Sequence, residues 1–257
     1  MSRNITTAMV LAAGLGTRLR PLTLDRPKAL VQVAGQCLID HMLDRLSAGG
    51  ITRVVVNLHA FADELEHHLR ARKGGPDIAF SREIDAPLET GGGVKHAKDL
   101  LGDAPILVAN IDSVWRLRGH DPVARLIADF DPQTMDALLL MTPTARALGF
   151  DGPGNFFQDS SGRLTPRRQI TGAAEAPFAY VGLHATRLEP IYQQPQSRFG
   201  LAPLWGEMSR DGRLFGAHLA GDWMHVGDPQ AHHWAEAVLQ NQVSFDDALL
   251  SYAGCSR

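Results

Sequence analysis

An α/β fold with a mainly parallel but mixed central sheet is what this sequence predicts. Short apolar runs alternate with helical patterns through the first half, as strand–helix–strand units require. The first of these runs ends at Gly14 and Gly16, at the strand edge where parallel sheets bind ligands. From Gly152 to Ala176 the chain turns polar and rich in Gly, Pro and Arg, and the later strands are expected to extend the sheet in mixed directions.

Ala8–Ala12 is an unbroken apolar run bounded by glycine, which fits a strand buried on both faces. Leu38–Leu46 carries apolar residues at helical spacing, with Asp40 and Arg45 facing out. Arg53–Asn57 is a short β-branched run and reads as the second strand. Phe61–Leu69 is amphipathic, and its Asp63, Glu64 and Glu66 precede His67, His68 and Arg70, as the helix dipole favours. Ile78–Ser81 fits another strand, and Gly93–Leu100 a helix behind a glycine-rich entry. Pro105–Ala109 and Asp136–Met141 are buried-type strands. Beyond the polar stretch, Phe178–His184 alternates like a strand and Leu214–Leu219 resembles one. Leu201–Met208 and Gln230–Gln240 carry helical patterns. With no linker or repeat in view, one domain is expected over residues 1–243, in two halves of about 1–115 and 116–243, with 244–257 as a C-terminal tail.

The 257 residues are 44% hydrophobic and 21% charged, enough for a sizeable core. A net charge of −3 argues against a general nucleic-acid binder. Cys37 and Cys255 are too few for a disulfide framework or a cysteine-based zinc site, and Cys37 is expected to pack at a helix start. No apolar run approaches membrane-span length and no signal-type segment opens the chain, so no membrane partner and a cytoplasmic location are expected.

The glycine loop, Leu11-Ala12-Ala13-Gly14-Leu15-Gly16-Thr17-Arg18-Leu19-Arg20, is followed by Pro27-Lys28. Glycines permit tight turns and leave amides uncovered, and uncovered amides bind anions. Arg18, Arg20 and Lys28 add fixed positive charge. A dinucleotide fingerprint is excluded, because Leu19 stands where its third glycine belongs and Asn57 where its ribose-binding acid belongs. The chain holds no Walker A motif. A tight strand-to-helix turn with surface arginines would explain Gly-x-Gly alone, but three cations in one short segment favour polyphosphate.

Leu11-Ala12-Ala13-Gly14-x-Gly16-Thr17-Arg18-Leu19-x-Pro21-Leu22-Thr23, continuing to Arg26-Pro27-Lys28-x-Leu30-Val31-x-Val33, resembles the signature of sugar-1-phosphate nucleotidyltransferases. The resemblance implies a Rossmann-like three-layer sandwich of that family's type. It also implies NTP and a sugar 1-phosphate as partners, with Mg²⁺ as cofactor. Further motifs at 87–93, 108–115 and 223–229 carry it over most of the chain. It places the nucleotide on Leu11, Ala12, Ala13, Gly14, Gly16, Thr17 and Arg18, with Arg18 steadying pyrophosphate and Lys28 the reacting phosphates. Leu88-Glu89-Thr90-Gly91-Gly92-Gly93 looks closest to the branch that joins UTP to N-acetylmuramate 1-phosphate in cell-wall recycling. Glu89, Thr90, Gly91 and Asn110 are then expected at the base or ribose. Mannose-1-phosphate guanylyltransferases are the alternative branch, and a non-catalytic nucleotide-sugar sensor the alternative class.

Asp112 ends a buried strand in Asn110-Ile111-Asp112, where the family has Asn-Gly-Asp. Beside a polyphosphate loop it reads as a Mg²⁺ ligand, although a capping Asp would look the same. In Trp223-Met224-His225-Val226-Gly227, His225 stands where the family's second metal carboxylate belongs. Four readings stay open: Asp112 and phosphates hold Mg²⁺ alone, His225 favours Mn²⁺, His225 meets phosphate, or His225 is a packed histidine in an inactive relative. Asn155, Tyr180 and Gly182 match weaker segments that line the family's sugar pocket. Arg167 and Arg168 fit either an acceptor phosphate or a solvated loop. His67-His68 and His232-His233 are expected on solvated helix faces.

Overall fold

The computed structural model describes residues 5–255, and among these the main sheet has nine strands. Thr7–Leu11 lies between two parallel neighbours, Arg53–Leu58 and Ile106–Asn110. Asp77–Arg82 pairs in parallel with the outer side of Arg53–Leu58. Side chains alternate across these strands. Ala8, Val10, Val54, Val56 and Leu107 face a layer that holds the helices Leu38–Ala48 and Ala62–Ala71. Met9, Val55, Ile106 and Val108 face a second layer, with Glu89–His96 and Leu201–Arg210. Both faces are dry, which is why the strands read as unbroken apolar runs.

The later strands enter in mixed directions, as expected. Phe178–Thr186 runs antiparallel to Ile106–Asn110 and to Ala137–Pro143. Leu214–His218 is parallel to Ala137–Pro143. The stretch 152–176, which offers few sequence cues, contains a short hairpin of Phe156–Gln158 and Leu164–Pro166 at the sheet edge. Its strands have three residues each, too short for alternation to register.

A second sheet positions the site. Ser113–Leu117 and Gly221–His225 pair antiparallel, and Ala147–Leu148 joins Gly221–His225 in parallel. Asp222 is opposite Arg116 in this ladder. Its side chain is 1% exposed and meets Arg116 and Arg118 at 2.9 Å and Arg146 at 3.5 Å. The sheet's other support is a third apolar cluster, with Val114, Leu148, Met224 and Val226 against the helix Pro229–Leu239. The same cluster takes in Phe245, Ala248 and Tyr252. Residues 244–257, expected as a tail, therefore include the helix Phe245–Cys255, which packs through an i, i+3, i+7 apolar stripe. The helix Pro122–Asp129 was also not foreseen. Asp121 caps it by accepting from Val123 N and Ala124 N, with Pro122 in its first turn. Cys37 is buried at the N-cap of Leu38–Ala48, as expected.

Candidate active site

Asp112 sits in a two-residue turn between the main-sheet strand Ile106–Asn110 and the second-sheet strand Ser113–Leu117. Ile111, in the position of the family's glycine, is buried and keeps an ordinary negative φ. The turn is therefore unstrained. Lys28 begins a short 3-10 helix, and its Nζ donates to Asp112 Oδ2 at 2.7 Å. His225, at the end of Gly221–His225, puts Nε2 3.4 Å from the same oxygen. Its Nδ1 lies 3.0 Å from Gly149 O, which fits Nδ1–H as donor and turns Nε2 towards Asp112. Burial alone would raise the Asp112 pKa, but Lys28 and then His225 outweigh it and hold the carboxyl well below its usual range. Burial likewise opposes charge on His225, and the Asp112 carboxylate reverses that and raises its pKa.

This centre opens into a cavity of about 330 Å³ lined by Leu11, Ala13, Gly14, Gly16, Thr17, Arg18, Lys28, Glu89, Thr90, Asn110 and Asp112. Most of the residues expected at the nucleotide therefore share one space. Gly16 has φ 62°, and a Cβ there would stand 3.0 Å from Lys28 Cβ, so glycine lets the loop lie against the lysine. Arg18 is exposed at the rim. Arg20 is exposed and outside the lining.

One expectation about the glycines needs correction, and the two residues before Gly14 add a contact of their own. The Ala12 and Ala13 amides are covered: both donate to Asn57 Oδ1, at 2.6 and 3.3 Å. The Gly91–Gly93 triplet lies inside the first turns of Glu89–His96, not in an entry loop before the helix. The Gly91 and Gly92 amides donate to Phe199 O, both at 2.9 Å. A Cβ on Gly91 would reach the Phe199 ring at 2.3 Å, and one on Gly92 would reach Ser197 O at 2.4 Å. Close packing, not anion binding, is what these two glycines permit. Helix propensity would place a glycine triplet outside a helix, and packing overrides it. Glu89 carries the backbone strain here, with φ 64° in the left-handed region.

Asn57 and Glu83 are cavity residues that motif reading missed. Asn57 is 3% exposed and Glu83 4% exposed, and both line the cavity. Asn57 Nδ2 donates to Glu83 Oε1 at 2.8 Å, and Leu88 N donates to Glu83 Oε2 at 2.7 Å. One buried bridge thus ties the start of the glycine loop to two strand ends and the Pro87–Thr90 segment. Asn57→Ala is expected to strip two buried amides and Glu83 of partners and to cost about 2–4 kcal/mol. A urea midpoint unchanged from wild type would refute that role.

A second cavity, of about 570 Å³, is lined by Asn155, Tyr180, Trp205, Arg167, Arg168 and Arg210, among others. Asn155 Oδ1 accepts from Tyr180 N at 2.9 Å. Tyr180 Oη is 2.7 Å from Nδ1 of His184, which burial pushes down to about 3 and so keeps neutral. Burial first, and then the charge of Asp112, raises the Tyr180 phenol. Gly182 lines neither cavity. Its φ is 83°, and a Cβ would stand 2.5 Å from Ser113 Oγ, so it lets its strand back the Asp112 turn.

His67 and His233 are exposed, as expected, but their neighbours are engaged. His68 pairs with Asp40 at 2.8 Å, and His232 Nε2 lies 2.7 Å from Gln32 O. Cys37, Asp40 and His68 place possible ligand atoms within 4.8 Å of one another, but Arg72 already holds Asp40 at 2.6 Å. No helix among the described residues is long and apolar enough to cross a membrane.

A sequence model of the family described as nucleotidyl transferase matches residues 7–151. Over 243 residues the chain is 50% identical to N-acetylmuramate alpha-1-phosphate uridylyltransferase of Caulobacter vibrioides, covering 93% of this chain and 99% of that one. It is 35% identical over 222 residues to the protein of the same name from Neisseria meningitidis serogroup B, covering 86% and 92%. The main chain superposes on UDP-glucose pyrophosphorylase complexed with UDP-glucose at a TM-score of 0.75, with 12% identity over 93% of this chain and 100% of that one. HddC from Yersinia pseudotuberculosis complexed with GMP-PN gives 0.70, with 18% identity over 91% and 100%. These two likenesses establish the fold. The chain belongs to the nucleotidyl transferase family, and within it to the sugar-1-phosphate nucleotidyltransferases.

Proposed function

We propose that this enzyme joins the uridylyl group of UTP to N-acetylmuramate 1-phosphate and releases pyrophosphate. What carries the reading is the convergence of Lys28, Asp112 and His225 at the first cavity, in a chain 50% identical to a uridylyltransferase for that sugar phosphate. An oxygen of the sugar phosphate attacks the α-phosphorus of UTP in line, and the bond to the β-phosphate oxygen breaks. A phosphate monoester with second pKa of about 6 is already anionic at neutral pH, so no side chain has to deprotonate it. Positioning and charge neutralisation supply the rate. Lys28 neutralises the reacting phosphates, Arg18 steadies the departing pyrophosphate, and Glu89, Thr90 and Asn110 border the nucleoside.

The donor set fits a divalent cation. Asp112 Oδ2 and His225 Nε2 are close enough to share one, and Nδ1 of His225 is already committed to Gly149 O. When bound there, Mg²⁺ or Mn²⁺ supplies Lewis-acid neutralisation of phosphate charge. His225→Asp is expected to keep turnover and to move the preference from Mn²⁺ towards Mg²⁺, because a carboxylate suits the harder ion. Equal Mg²⁺ and Mn²⁺ dependence in variant and wild type would remove His225 from the metal.

The deciding assay is pyrophosphate release from UTP, GTP, CTP and ATP, each paired with N-acetylmuramate, N-acetylglucosamine, glucose and mannose 1-phosphates. UTP with N-acetylmuramate 1-phosphate is expected to lead. GTP with mannose 1-phosphate would point to the guanylyltransferases, to which the chain is 28–30% identical. Metal-independent binding of the nucleotide sugar with no pyrophosphate release would mark a sensor, the alternative that His225 keeps open.

A further inference from the structure

The second cavity holds a charge surplus that the nucleotidyl transfer does not use. Three of its lining residues are arginines, Arg167, Arg168 and Arg210, and no carboxylate lines it. By contrast, Arg116, Arg118 and Arg146 are neutralised by Asp222. Among the described residues Arg168 and Arg210 enter no hydrogen bond or ion pair. Arg167 Nη1 donates to the carbonyls of Ala173 and Ala174, at 3.1 and 3.3 Å, while its buried Nε has no partner among the described residues.

The arginines come from two elements that are fastened together. Gln169 Nε2 donates to Gly206 O at 2.8 Å, which clamps the Arg167–Gln169 turn onto the helix Leu201–Arg210. The backbones that carry Arg168 and Arg210 are thereby fixed side by side, and both exposed guanidinium groups line the cavity that Tyr180 and Trp205 also line. Such a pair is built for a planar, bidentate anion.

The anion is not the reacting phosphate. That phosphate must reach Asp112 and Lys28, which line the first cavity, and the two cavities share no lining residue. The strand that carries Tyr180 joins them: Val181 O accepts from Ser113 Oγ at 2.6 Å, next to Asp112, and Gly149 O, beside Phe150 of the second lining, lies 3.0 Å from His225 Nδ1. The arginine-lined space therefore adjoins Asp112, where the ring substituents of a sugar 1-phosphate have room. N-acetylmuramate differs from N-acetylglucosamine by a lactyl ether on O3 that ends in a carboxylate.

We propose that Arg168 and Arg210 bind the lactyl carboxylate of the acceptor sugar and so select the acidic sugar over its neutral parent. The proposal rests on the muramate reading above and names the residues that enforce it.

The test measures kcat/KM with UTP and three acceptors: N-acetylmuramate 1-phosphate, its lactyl carboxamide and N-acetylglucosamine 1-phosphate. Wild type is compared with Arg168→Gln, Arg210→Gln and Arg168→Lys, each checked for an unchanged melting profile. Wild type is expected to lose about 10- to 100-fold on the carboxamide, the scale of a charge-assisted hydrogen bond. Either glutamine variant should lose a similar factor on the acid and much less on the two neutral acceptors. Arg168→Lys should recover part of the loss. Equal losses on all three acceptors would assign the arginines to the phosphate or to structure and overturn the proposal. So would a wild type that turns over the acid and the carboxamide alike, which would leave the uridylyltransferase reading standing. A wild type inert towards N-acetylmuramate 1-phosphate but active on another sugar phosphate would overturn both.

Discussion

Asp112→Asn is expected to lower kcat by about 10²–10³-fold or more, the scale of losing one preorganised charge at a reaction centre. Asparagine keeps the shape of the turn and removes only the charge. Asp112 Oδ2 is the one atom that meets both Lys28 and His225, at 2.7 and 3.4 Å. Without it His225 loses the charge that raises its pKa, and the Lys28 ammonium is left with no carboxylate beside it. A triphosphate is the natural replacement for that lost charge. Metal-free UTP should therefore bind the variant at least as tightly as wild type, although turnover collapses. Calorimetry without metal, beside steady-state pyrophosphate release, separates the two effects. Near-normal turnover would remove Asp112 from the centre. Weakened metal-free binding would show instead that the carboxylate organises the nucleotide loop.

Lys28→Met is expected to fall by a similar factor with the opposite binding signature. Methionine fills most of the lysine's apolar stem, so the contact with the Gly16 loop survives. The lost ammonium exposes Asp112 to the incoming phosphates, with only His225 left to offset it. KM for UTP should rise along with the fall in kcat. The lysine and aspartate side chains are 10% and 19% exposed, so breaking the pair should also cost about 1–3 kcal/mol of stability. A variant with wild-type KM and lowered kcat would confine Lys28 to the transition state. Unchanged kinetics would exclude it from the site.

The parallel core of this fold was legible in the sequence because a strand buried on both faces must be apolar throughout. Val10, Val56 and Val108 belong to runs with no other stable home. The cation-rich loop was legible as well, since Arg18 and Lys28 lie within one short segment and line one cavity. Glu83 was not legible. It is a single acid after a strand, and only its bond to Asn57 gives it meaning. The Ser113–Leu117 and Gly221–His225 ladder was hidden for the same reason, because its partners are far apart in the chain. The glycine triplet misled because local propensity argues against a helix, while the close approach of Phe199 demands one. Long motifs located the centre, and the contacts that hold it open to two substrates depend on chain segments with no shared pattern.

The reaction centre joins residues 28, 112 and 225 through two strands of the second sheet. A ribosome reading this message would release the nucleotide loop and Asp112 long before it made His225. No nascent chain that stops short of that strand holds a complete centre, however well its parallel core has formed. On refolding, catalysis should return later than secondary structure, because closing the Ser113–Leu117 ladder is a long-range event. Activity in this enzyme therefore reports that synthesis and folding have passed Gly221–His225, well beyond the parallel core.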